Sequence, residues 1–130
     1  AGVSASLAKR TAERYVALVN AGDFDAVGDL FAEHARHLPP PPARGFIEGR
    51  EAILAFYKSF AQPLGARIVP INSVADGNSC VIEFDATTRD RPDGGNPSMA
   101  IFTVDDDGKI VRMAIYRREL PEPTARPNRK

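Results

Sequence analysis

The dominant hydrophobic period of this chain changes near residue 65, and that change constrains the fold more than any other feature. Before it, apolar residues recur at helical spacing; after it, they alternate as they do in strands. The clearest helix closes the first half, where Ile53, Phe56, Tyr57 and Phe60 stand at i, i+3, i+4 and i+7 after Gly49-Arg50-Glu51. Pro63 and Gly65 mark its end. From residue 67, four runs read as strands: 67–74, 79–88, 97–105 and 109–119. Ala75-Asp76-Gly77-Asn78, a longer 89–96 loop and Asp105-Asp106-Asp107-Gly108 separate them. Asp-Gly steps suit hairpin turns because glycine accepts positive φ. Helices first and an antiparallel sheet afterwards predict an α+β domain.

Two more helices precede the clear one. Leu7, Thr11, Tyr15 and Leu18 form a stripe, widened by Ala8, Ala12 and Val19. This predicts a helix over 4–19, with Ser4 or Ser6 as its N-cap. Asn20-Ala21-Gly22 ends it, and Asp23 caps a second helix over 24–33 that puts Phe24, Val27, Leu30 and Phe31 on one side. Gly28 lowers the helix propensity of that segment, and a close contact would explain it. Tyr15 lies on the apolar stripe, so its hydroxyl needs a buried partner or a ligand. Residues 34–38 then read as a short strand, followed by four consecutive prolines, 39–42, and a second short strand over 45–47.

The length of 130 residues suits one domain, over 1–119, followed by a proline-rich surface tail over 120–130. Seventeen basic and seventeen acidic residues leave no net charge, which argues against a nucleic acid or an anionic membrane as partner. No apolar run approaches the roughly 20 residues of a membrane helix. The single Cys80 falls in a strand as a buried small hydrophobe, and no signal-peptide pattern opens the chain. A cytoplasmic location is the expectation.

Strand alternation divides the sheet into two faces. Cys80, Ile82, Phe84, Ala86 and Thr88 are expected inward, with Ala100, Phe102 and Val104, and with Val111, Met113, Ile115 and Arg117. The opposite set holds Glu83 and Asp85, Met99 and Ile101, and Ile110, Arg112, Ala114, Tyr116 and Arg118. A strand apolar on both sides is covered on both sides. A homodimer through the outer face follows, centred on Met99, Ile101 and Tyr116, with Glu83 and Asp85 meeting Arg112 and Arg118.

Three ordered segments carry a resemblance. Arg14-Tyr15-Val16 with Asn20-Ala21-Gly22-Asp23, Gly49-Arg50-Glu51-Ala52-Ile53 with Phe56-Tyr57, and Gly108-Lys109-Ile110-Val111-Arg112-Met113 resemble the ketosteroid isomerase family. That family stands within the NTF2-like superfamily with SnoaL-type cyclases and related epoxide hydrolases. The resemblance spans roughly residues 8–118. It implies three N-terminal helices packed on a curved antiparallel sheet, forming a cone with an apolar pocket for a small steroid- or polyketide-like molecule, and no cofactor. It also implies that Tyr15 holds the substrate oxyanion and that Tyr57 supports it. In the isomerases, one aspartate shuttles the proton and a second, kept neutral by its apolar surroundings, donates to the oxyanion. Pro39 and Ala100 occupy those two positions here. Neither side chain can move a proton.

Three inward residues retain chemistry. Tyr15 can polarise a carbonyl or epoxide oxygen. His37 shares the parity of Pro39 and is the candidate base. Arg117 can hold a carboxylate or enolate. The lining is expected to be Phe56, Tyr57, Phe84, Ala100, Phe102, Met113, Ile115 and Arg117. His34 and His37 lack a third metal ligand, and the Asp105–Gly108 run reads as a hairpin turn rather than a calcium loop. Two functions stay open: an isomerase-like enzyme with a degenerate site, or a non-catalytic pocket or dimeric interaction module.

Overall fold

The computed structural model describes the backbone of residues 2–118 and the side chains of residues 7–118. Helix α1, Gly2–Ala21, runs past the expected limits at both ends, so Ser4 and Ser6 lie within it rather than before it. Gly22 follows at φ 74°, a conformation that favours glycine. Near the end of α1, the Asn20 amide donates to the Ile68 carbonyl (2.8 Å) and accepts from the Ile68 N–H (2.7 Å), tying the helix to the sheet.

Helix α2, Phe24–Asp29, is capped by Asp23, whose carboxylate accepts from the Ala26 N–H at 3.2 Å. It stops four residues earlier than its sequence suggests. Strand β1, Phe31–Leu38, begins there and takes in His34. The Ile110 N–H donates to the Leu30 carbonyl at 2.8 Å, and Phe31 stands opposite Ile110. Pairing with a distant strand thus overrides a local helical pattern. Gly28 has its explanation: a Cβ there would lie 3.1 Å from Leu54 Cδ1, on the third helix.

After the prolines comes β2, Ile47–Glu48. Helix α3, Arg50–Phe56, does not continue as regular α-helix. It passes into a π-turn, Tyr57–Ala61, and a last turn α4, Gln62–Leu64, ended by Gly65 at φ 65°. Four strands follow: β3, Arg67–Asp76; β4, Ser79–Thr87; β5, Pro97–Val104; and β6, Ile110–Tyr116. The sheet order is β2-β1-β6-β5-β4-β3. Every neighbouring pair is antiparallel except β1 with β6, which is parallel. β1 follows α2 and precedes α3, and it runs beside the last strand in the same direction, which adds one parallel pair to the expected antiparallel sheet. The sheet is curved and unclosed.

The core lies between the helices and the inner face. Cys80, Ile82, Phe84, Ala100, Phe102, Val104, Met113 and Ile115 are buried, as alternation predicts. Ile110 departs from the pattern and is fully buried. A bulge sets Thr103 opposite Arg112 but Val104 opposite Ile110, so one residue slips and Ile110 turns inward. On the outer face, Val69, Val74, Met99 and Tyr116 are exposed. Two expected interface charges are already engaged within the chain. Asp85 accepts from the Gly95 and Asn96 N–H groups (3.0 and 2.7 Å), which holds its carboxyl below the usual range. Arg112 and Arg36 both lie over the Phe46 ring, at 5.0 and 4.3 Å from its centre. The 120–130 tail lies outside the described residues.

Candidate functional site

Three side chains from three elements meet in one hydrogen-bonded chain. Tyr15 comes from the inward stripe of α1, Tyr57 opens the π-turn, and His37 comes from β1. The Tyr15 and Tyr57 hydroxyl oxygens are 2.5 Å apart, and Tyr57 Oη is 2.5 Å from His37 Nε2. The Tyr57 hydroxyl also faces Met113 Sδ at 3.9 Å. Burial raises both phenols above their ordinary value, so they keep their protons at neutral pH.

His37 has no exposed surface. Its ring stacks on Phe31 (centres 5.9 Å apart, 19° between planes) and lies 5.9 Å from Phe56. Burial lowers its pKa to about 4. Nδ1 has no hydrogen-bond partner among the described residues. The imidazole is therefore neutral near pH 7.

Beside this chain lies a cavity of about 150 Å³. Tyr15 and Tyr57 line it, together with Val19, Phe56, Phe60, Ala61, Phe84, Met113, Ile115, Pro40 and Pro41. Among the described residues, no Asp or Glu belongs to the lining. Arg67, Arg91 and Arg117 do, beside Thr87, Thr88 and Asn96. Arg67 and Arg91 are exposed and Arg117 is half-buried, so the arginines mark the mouth. Arg117 Nε is buried and has no partner among the described residues. Burial lowers the Arg117 pKa, and leaving such a donor unpaired costs about 1–3 kcal/mol.

Of the residues expected to line a pocket, Phe56, Tyr57, Phe84, Met113, Ile115 and Arg117 do so. Ala100 and Phe102 are buried outside the lining. Phe102 packs edge-on against Tyr15, with ring centres 5.1 Å apart. His37 sits behind Tyr57 rather than at the cavity surface. Arg67 and Arg91 carried no signal in the sequence, since one opens a strand and the other sits in a loop. The prolines read only as a chain breaker, yet two of them form wall. His34 is exposed, on a different side of β1 from His37. Asp105 accepts from the Asp107 and Lys109 N–H groups (2.9 and 3.0 Å), which is a turn. Among the described residues, no three His, Cys, Asp or Glu side chains converge, and no helix is long and apolar enough to cross a membrane.

Residues 12–113 match the model of the SnoaL-like domain. No curated protein matches the sequence. Among solved structures, a proposed ketosteroid isomerase from Kribbella flavida superposes with a TM-score of 0.73 at 22% identity, covering 92% of this chain and 83% of that one. A proposed polyketide cyclase from Xanthomonas campestris gives 0.73 at 23% identity, covering 88% and 93%. SalBIII, described as an epoxide hydrolase/cyclase-like enzyme with a role in pyran ring formation in the polyether salinomycin, gives 0.71 at 24% identity, covering 85% and 89%. At these identities the likeness is one of fold.

Proposed function

The chain belongs to the SnoaL-like domain family, within the NTF2-like fold, and from that premise we propose that it catalyses an isomerase-type rearrangement of a small, largely apolar molecule, with Tyr15 and Tyr57 polarising a substrate oxygen. The observation that carries this reading is the chain Tyr15–Tyr57–His37 beside an apolar cavity. A ligand oxygen at Tyr15 selects one direction of donation: His37 Nε2–H to Tyr57, Tyr57 to Tyr15, Tyr15 to the ligand. Each bond polarises the next, so the donation strengthens as negative charge grows on the ligand oxygen. His37 does not touch the substrate in this scheme. It is a positioning residue that holds the Tyr57 hydroxyl through its neutral ring.

The lining shapes the type of reaction. Abstraction of a proton from carbon needs a base in the cavity, and among the described residues no carboxylate lines it. An internal ring closure needs none of its own. The substrate hydroxyl attacks a polarised carbonyl or epoxide carbon. A C–O bond forms as the carbonyl π bond or the epoxide C–O bond breaks, the released electron pair goes to the oxygen that Tyr15 polarises, and the hydroxyl proton passes to that same oxygen. Atoms and protons balance within the substrate. The cyclase descriptions of the fold relatives agree with this chemistry. The absence of a lining carboxylate equally favours a second reading, a pocket that binds such a molecule without turnover.

The test offers two substrates: a phenyl-substituted epoxy alcohol able to close a ring, and a β,γ-unsaturated ketosteroid that needs carbon deprotonation. Ring closure is expected for the first and no isomerisation for the second. Tyr15→Phe should slow the closure by about 10²-fold, as loss of one oxyanion donor does. Saturable binding with no turnover of either would establish the second reading instead.

We also propose that a second copy of the chain covers the outer sheet face. Met99, Tyr116, Val69 and Val74 are exposed there, and exposed Glu83 stands opposite Met99 on the same face. Such a surface can complement itself about a two-fold axis. A cytoplasmic location belongs to the same proposal, since the one free cysteine, Cys80, is buried and unpaired.

A further inference from the structure

Three cations meet at the cavity mouth in a chain whose charges otherwise cancel. Arg67 opens β3 opposite Thr87, Arg91 bridges back to Thr88, and Arg117 follows β6, whose last residue stands opposite Met99 near the start of β5. All three belong to the same end of the sheet. All three line the cavity, and among the described residues no acidic side chain lines it with them. With seventeen basic and seventeen acidic residues overall, this local excess is a product of the fold and not of composition.

We infer that the pocket takes a carboxylate-bearing ligand, whose apolar body fills the cavity and whose anionic end pairs with Arg117, assisted by Arg91 and Arg67. Arg117 is placed for this task, because its buried Nε–H has no partner among the described residues and a guanidinium presents a planar fork to a carboxylate. Solvent-exposed Arg67 and Arg91 add attraction at longer range, which salt screens. The cavity sets the size of the body. About 150 Å³ lined by apolar groups is the scale that holds a benzene ring. Met113, beside the Tyr57 hydroxyl, and Arg117 are four residues apart, about 13 Å of extended chain. That interval accommodates a ring and a short chain between the polarised oxygen and the carboxylate. The inference rests on the oxygen-polarising pocket proposed above and names its substrate class: aryl or short alkyl oxo- and epoxy-acids.

The test measures binding of 4-oxo-4-phenylbutanoate and of its primary amide by calorimetry at low and high salt. The acid is expected to bind at least tenfold more tightly than the amide, with the ratio shrinking as salt rises. Arg117→Gln should bring the ratio near one, and Arg91→Gln should reduce it partly. Reading a ratio keeps the result independent of any general loss of folded protein, and Arg91 lies on an exposed loop. Equal affinity for acid and amide in the wild type overturns the anionic ligand while leaving the pocket reading intact. Binding of neither, by a folded protein, overturns both.

Discussion

At the scale of single residues, one histidine explains why two tyrosines sit together in the interior. A buried phenol without a partner is costly, and Tyr57 meets both Tyr15 and His37. The cost falls on His37, which folding keeps neutral. Its pKa drops from 6.5 to about 4 through burial. Between these values the unfolded chain binds a proton that the folded chain does not, so the stabilisation is complete above pH 6.5 and is lost as pH falls toward 4. The span amounts to about 3 kcal/mol at most. Urea unfolding from pH 7 to pH 4.5 should show this loss in the wild type, and His37→Leu should flatten that part of the profile. Parallel profiles for the two proteins would mean that His37 already takes its proton in the folded state.

At the scale of elements, close approach matters more than propensity. Gly28 stands in α2, where alanine would favour the helix by about 1 kcal/mol. Leu54 of α3 occupies the space a side chain would need. Gly28→Val should therefore destabilise the protein by about 1–3 kcal/mol through overpacking. Leu54→Ala in the same chain should recover part of that loss, a coupling that a double-mutant cycle in urea measures directly. Strictly additive effects would show that the two helices adjust without contact. The π-turn is a second device at this scale. It begins at Tyr57, and such turns frequently mark functional sites because they redirect the side chains of a helix.

At the scale of the whole molecule, the sheet has one face packed on helices and one bearing exposed Val69, Val74, Met99 and Tyr116. The dimer proposed for that face predicts twice the chain mass in light scattering at micromolar concentration. Met99→Glu places a charge in the centre of the face without disturbing the core, because Met99 is already 44% exposed in the single chain. It should yield monomer with an unchanged circular dichroism spectrum. A wild-type protein that is monomeric throughout would remove the second copy from the picture.

The sequence by itself determined what short-range periodicity encodes. The i, i+3, i+4, i+7 run through Tyr57, the stripe through Tyr15 and the strict alternation from Cys80 to Phe84 each express one element facing one core, and each is legible in a few consecutive residues. Tertiary structure decided whatever depended on partners far along the chain. Phe31 has a helical pattern around it, yet its pairing with Ile110 makes it strand. Ile110 changes face because a bulge absorbs one residue between β5 and β6. Arg67, Arg91 and Arg117 are unrelated in sequence and become neighbours of one cavity only when three strand ends come together. Local pattern sets which side of an element avoids water; which elements then share a space is set by the pairing energies of the assembled sheet, and those have no signature within any single segment.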